Sequence, residues 1–133
     1  MGLDIYLSGR ITPGIVRPNR LSTPQTLDGY EIEEIRVSLG YWRKDWFLQN
    51  FMMSRWPEDY GSPYEWSFGP EGLREILGEI QAGALNDTAV TQEDGDYPQS
   101  MFEHTVSAFQ RAIEWMEACP EDQWRDVVYR GSW

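Results

Sequence analysis

The residues best suited to recognising a ligand are Asp4, Tyr6, Tyr41, Trp42, Arg43 and Lys44. A guanidinium or ammonium group can meet a phosphate, and a tyrosine or tryptophan ring can stack on a flat base, so these side chains suit a nucleotide-like small molecule. They also have a purely structural reading, in which Trp42 is core while Arg43 and Lys44 solvate the first turn of a helix. Nothing that would drive a reaction accompanies them, neither a glycine-rich phosphate loop nor a nucleophile with its base. No residue is therefore assigned a catalytic role, and no cofactor and no metal are expected. Cys119 is the only cysteine and His104 the only histidine, which rules out an intramolecular disulfide and a thiolate or paired-histidine metal cluster. Cys119, just before Pro120, reads as a packed or half-exposed thiol.

Charge is the second source of chemistry. The 133 residues carry 22 Asp and Glu against 11 Lys and Arg, a net charge of −11. Direct nucleic-acid binding is disfavoured, because affinity for the phosphate backbone rests on Lys and Arg displacing counterions. An acidic surface suits a protein partner with a basic surface, and Glu31, Glu33, Glu34, Glu58, Asp59, Glu93, Asp94 and Asp96 are the residues expected to present it. The last three do not have the spacing of an EF-hand loop. Arg10, Arg17 and Arg20 make the stretch from Gly9 to Gly29 the one locally basic part of the chain, able to hold an anion or simply solvated. No apolar run is long enough to span a bilayer, and no basic-then-apolar leader opens the sequence, so a soluble, unexported protein is expected with no membrane partner.

The elements that must position these residues are read from periodicity. One domain is expected from the length. Leu3, Ile5 and Leu7 alternate with polar residues as a half-buried strand does. Gly9 to Gly29, rich in proline and glycine, reads as a long surface loop. Tyr30 to Leu39 reads as a second strand with a β-bulge at Glu33 and Glu34, where the apolar phase slips. Gly40 to Trp56 reads as one aromatic helix, closed by Pro57. Tyr64 to Phe68 is a short strand, and a helix begins at Pro70 with an apolar stripe of Leu73, Ile76, Leu77 and Ile80. Asn86 to Gln99 reads as a loop. Ser100 and Glu103 form a capping box ahead of a stripe of Phe102, Val106, Phe109, Ile113 and Met116, with His104 off the stripe in solvent. Val127 to Tyr129 closes the chain as a strand. The order predicts an α+β fold: a small antiparallel sheet of three to four strands with about three helices on one face.

Met1-Gly2-Leu3-Asp4-Ile5-Tyr6-Leu7 and Gly40-Tyr41-Trp42-Arg43-Lys44 resemble signature segments of a family of small bacteriophage and prophage proteins. There the chain opens with a Met-Gly-Leu-Asp-Met-Tyr-Leu type of sequence, and Gly-Tyr-Trp-Arg-Lys runs on into Ala-Asn-Ala-Ile-His-Lys-Trp-Phe. This sequence departs with Asp45, Trp46 and Phe47 in place of Ala-Asn-Ala, Gln49 where histidine is common, and Phe51 where tryptophan stands. Tyr129 to Trp133 is similar to the family's aromatic ending. The resemblance implies a phage or mobile-element origin and a bacterial cytoplasm. Joined to the charge, it leads to the expectation of a non-enzymatic accessory protein that binds and inhibits a host factor, such as a nucleic-acid-binding defence protein. The alternatives are a nucleotide-like ligand binder or enzyme using the Tyr/Trp/Arg/Lys pocket, and a structural protein of the virion.

Overall fold

In a computed structural model, residues 2–13, 15–16, 20–21, 25–55, 64–87, 95–121 and 123–133 are described. The elements in chain order are β1 (Asp4–Ile11), β2 (Ile15–Val16), β3 (Arg20–Leu21), β4 (Thr26–Leu27), β5 (Tyr30–Glu31), β6 (Ile35–Arg43), α1 (Trp46–Arg55), β7 (Tyr64–Phe68), α2 (Pro70–Gln81), α3 (Ala84–Asp87), α4 (Gln99–Glu117) and β8 (Arg125–Ser132). Four of the strands form one antiparallel sheet in the order β6-β1-β8-β7, while β2 pairs with β3 and β4 with β5 in two short hairpins. The mixed α+β architecture is the one expected from the sequence.

Alternation assigns the two faces of the sheet. Ile5 and Leu7 of β1, Trp42 of β6, Val127 and Tyr129 of β8, and Trp66 and Phe68 of β7 are buried beneath the helices. The opposite face carries Asp4, Tyr6, Ser8 and Arg10, with Tyr41, Arg43, Arg130 and Glu65 in register beside them. Helix α2 buries the stripe Leu73, Ile76, Leu77 and Ile80. The buried line of α4 is Thr105, Ala108, Phe109, Ala112 and Met116, while Phe102, Val106 and Ile113 of the expected stripe are only partly buried. Small residues at the centre of that face let the helix sit close to the sheet, where the Ala108 methyl group lies against Gly40.

Several local expectations give way to long-range pairing. Gly40 to Arg43 is strand, because it completes the ladder of β6 with β1: Ile5 pairs with Trp42 and Leu7 with Gly40. The aromatic helix therefore starts only at Trp46, after Lys44 turns the chain with a φ of 57° and donates its N–H to Leu3 O at 2.7 Å. Trp56 and Pro57, expected to end it, lie outside the described residues. The bulge in this strand falls where Leu7 and Ser8 face Gly40 and Ser38, leaving Leu39 as the extra residue, and not at Glu33 and Glu34, which precede the strand. The expected loop from Gly9 to Gly29 is divided: β1 continues to Ile11 and two hairpins follow. Arg17 lies outside the described residues, and Arg10 is spent on a bidentate pair with Asp126, one contact at 2.9 Å. The capping box does not form. Helix α4 begins two residues early at Gln99, and Pro98 takes the cap position with its carbonyl accepting from Phe102 N at 2.9 Å.

A buried polar chain ties these elements together. Asp45 caps α1, its Oδ1 accepting Leu48 N–H at 3.0 Å. Tyr97 donates its hydroxyl proton to the other Asp45 oxygen. Having spent that proton, Tyr97 accepts from the Thr105 hydroxyl at 2.8 Å, and Thr105 in turn accepts from Trp42 Nε1 at 2.9 Å. Burial raises the Asp45 pKa, against the lowering effect of the Tyr97 and backbone hydrogen bonds. Nearby, Tyr129 donates to Gln49 Oε1 at 2.6 Å, and the Gln49 amide lies so close to Gly131 that a Cβ there would overlap it.

A raised folded-state pKa means that the native protein holds the Asp45 proton more tightly than the unfolded chain does. The resulting stabilisation is complete below the ordinary carboxyl pKa of about 4 and is lost as pH rises through the higher folded value. An asparagine at this position would keep the cap acceptor and cannot ionise. The stability of Asp45→Asn relative to wild type should therefore improve as pH rises from about 3 to 7. Urea titrations across that range check it.

Candidate interaction surfaces

The hairpin of β4 and β5 is built by Asp28 and Gly29, whose φ values of 53° and 85° are those of a type I′ turn. That turn matches the right-handed twist of its strands and demands residues that tolerate positive φ at both central positions. Leu27 pairs with Tyr30, so both side chains stand on one face of the hairpin. They are 67% and 79% exposed, the highest among the exposed large hydrophobic residues described. Ile32 N donates to Gln25 O at 2.8 Å and extends the ladder by one further pair. Asp28, Glu31, Glu33 and Glu34 are exposed in the same segment, with Glu31 on the hairpin face opposite to Tyr30. Glu34 is bound by Arg36, whose guanidinium holds the carboxyl below its usual pKa.

Of the acidic residues expected to form a partner surface, Glu31, Glu33 and Glu34 thus share one exposed segment. Asp96 is exposed on a separate segment leading into α4. Glu58, Asp59, Glu93 and Asp94 lie outside the described residues. The hairpin itself had a sequence signal, an Asp-Gly pair between Leu27 and Tyr30, which the surrounding prolines and glycines obscure.

The expected ligand pocket is only partly assembled. Asp4, Tyr6, Tyr41 and Arg43 do come together on the helix-free face: the Tyr41 hydroxyl donates to Asp4 Oδ1 at 2.5 Å, and the Tyr6 and Tyr41 rings lie 5.3 Å apart, tilted by 44°. That hydrogen bond to Asp4 is the main cause of a raised Tyr41 pKa. Trp42 is excluded because neighbouring strand residues point to opposite faces, and its ring is buried against Phe109 and Thr105. Lys44 has left the strand altogether. His104 is exposed but anchored, its Nε2–H donating to Tyr41 O at 2.8 Å while its ring meets the edge of Trp42. Arg111 likewise donates to Leu39 O at 2.6 Å, so α4 satisfies two carbonyls of the edge strand β6. Cys119 is half-buried, with its thiol 3.3 Å from Gln123 O.

Among the described residues no group of three or more His, Cys, Asp or Glu could hold a metal ion, and no helix is long and apolar enough to cross a membrane.

Replacing Gly29 by valine should disrupt the hairpin, since a β-branched residue strongly resists positive φ. The expected result is faster hydrogen exchange at the Ile32 amide with little change in global stability, followed by NMR. In comparisons with known proteins, no family model matches the chain, and neither a curated protein nor a solved structure matches it.

Proposed function

We propose that this chain is a non-enzymatic accessory protein of a phage or mobile element, acting in the bacterial cytoplasm by docking on a host protein and inhibiting it. A component of host defence with a basic, nucleic-acid-binding surface is the partner class that fits the charge. The observation that carries this reading is the hairpin on which Leu27 and Tyr30 stand exposed side by side, in one segment with the exposed Asp28, Glu31, Glu33 and Glu34. An apolar centre inside a charged rim is the anatomy of a protein–protein contact, and tyrosine is among the residues that most often carry its energy. The two-residue turn places the two side chains on one face of the hairpin. The carboxylates would meet lysine and arginine where phosphates otherwise sit, favouring fast, salt-sensitive association.

Native mass spectrometry of the tagged protein from bacterial lysate tests the reading. A stoichiometric protein partner should be present at low salt and lost near 1 M salt, where the screening length is only about 3 Å. Tyr30→Ala should weaken capture by about 2 kcal/mol, roughly thirtyfold, and charge reversal at Glu31 and Glu33 should do so in a salt-dependent way. Capture that ignores both changes excludes the hairpin as the docking element.

A further inference from the structure

The face of the sheet turned away from the helices has a composition that the charge of the whole molecule hides. In a chain of net charge −11, Arg10, Arg36, Arg43 and Arg130 all alternate onto this one face. Arg10 is neutralised by Asp126. Arg36, on one edge strand, pairs with Glu34 and reaches toward Glu65 on the other edge at 3.8 Å, so its side chain lies over the strands between. Arg43 and Arg130 have no ion-pair partner among the described residues. One row across the sheet reads Tyr41, Tyr6, Arg130, Glu65. Both tyrosine rings are 44% exposed and in contact with each other. Beside them is a cavity of about 180 Å³ lined by Tyr6, Ser8, Arg36, Val128 and Arg130. Its floor, Val128, is only 1% exposed.

We infer that this face binds a mononucleotide, with the phosphate in the cleft between Arg36 and Arg130 and the base on the Tyr6–Tyr41 surface. Two guanidinium groups at the walls and the Ser8 hydroxyl supply the donors that a phosphate dianion needs, over the apolar floor of Val128. Arg36 would exchange its long contact with Glu65 for the ligand, a small loss because that contact is weak and exposed. Size separates the two halves of the ligand. Sites for whole small molecules run from about 300 Å³ upward, so this cleft suits a phosphate while the base lies outside on the rings. Stacking on tyrosine is worth about 1–3 kcal/mol per base and tolerates any base. A free nucleotide, rather than a nucleic-acid strand, is the occupant because the arginines of this face stand among Asp4, Glu34, Glu65 and Asp126, which leaves room for one phosphate and not for a track of them. A longer polyanion would run from it onto a surface dominated by Asp and Glu, where each further phosphate is repelled.

The inference is independent of the hairpin and is tested by calorimetric titration of the full chain with adenosine 5′-monophosphate, adenosine and a single-stranded oligodeoxyadenylate. The monophosphate should bind roughly tenfold or more tightly than adenosine, as expected for charge-assisted phosphate contacts. Arg130→Ala should remove that advantage without changing adenosine affinity, and Tyr6→Ala should weaken both ligands. All of these positions are on the surface, and far-ultraviolet circular dichroism with thermal melts verifies that each variant folds. No binding of the monophosphate at millimolar concentration, binding indifferent to Arg130→Ala and Tyr6→Ala in folded variants, or affinity that grows with oligonucleotide length would each overturn it.

Discussion

A sheet with helices on one side only must bury its polar side chains without leaving them unpaired, and in this protein the line of hydrogen bonds from Trp42 through Thr105 and Tyr97 to Asp45 meets that constraint. Each link joins a different part of the fold: the edge strand β6, the middle of α4, the segment leading into α4, and the first turn of α1. The order of donors is forced, because a phenol has one proton and Tyr97 gives it to the carboxyl group. Removing any member would strand a buried donor or acceptor, at about 1–3 kcal/mol for each orphaned group. The line also explains why α1 begins where it does. Asp45 is fixed from the tertiary side by Tyr97 and from the local side by the Leu48 amide, so the helix cannot start earlier.

The two faces of the sheet divide the chemistry of the chain. The inner face buries Trp42, Trp66 and Tyr129 beneath the helices, where Trp42 meets Phe109 and Ala108 of α4 lies against Gly40. The outer face takes arginine, tyrosine and serine. The pairs Arg10–Asp126 and Arg36–Glu34 show that charge on this side is organised locally rather than spread evenly. Arg36 is the physical link between the outer face and the acidic segment behind the hairpin, since it touches Glu34 on one side and lines the cleft beside Tyr6 on the other. Net charge alone describes neither surface.

Where the pattern was local, the sequence was legible. The stripe of α2 is complete from Leu73 to Ile80 and Pro70 begins it, because helical spacing and a proline that needs no partner act within a dozen residues. Strand β1 is equally plain from the alternation of Leu3, Ile5 and Leu7, although it begins at Asp4 and runs on to Ile11. Legibility failed where two tendencies compete. Gly40 to Lys44 carries aromatic residues that suit a strand as well as a helix, and continuity with Trp46 and Phe47 favoured the helix. The Asp28-Gly29 turn was hidden among other breakers, and the capping box at Ser100 gave way to a helix already begun at Gln99.

By itself the sequence determined the α+β class, the positions of α2 and β7, the strand character at both ends of the chain, and the residue types from which any site must be made. These depend on periodicity and on backbone restrictions that act between near neighbours. Only the tertiary structure decided that Trp42 faces the core while Tyr41 and Arg43 face outward, and that Arg130 stands beside Tyr6 from more than a hundred residues away. The reason is register: a strand's side chains alternate faces, and which face is buried is set by its long-range partners and by the extra residue at Leu39.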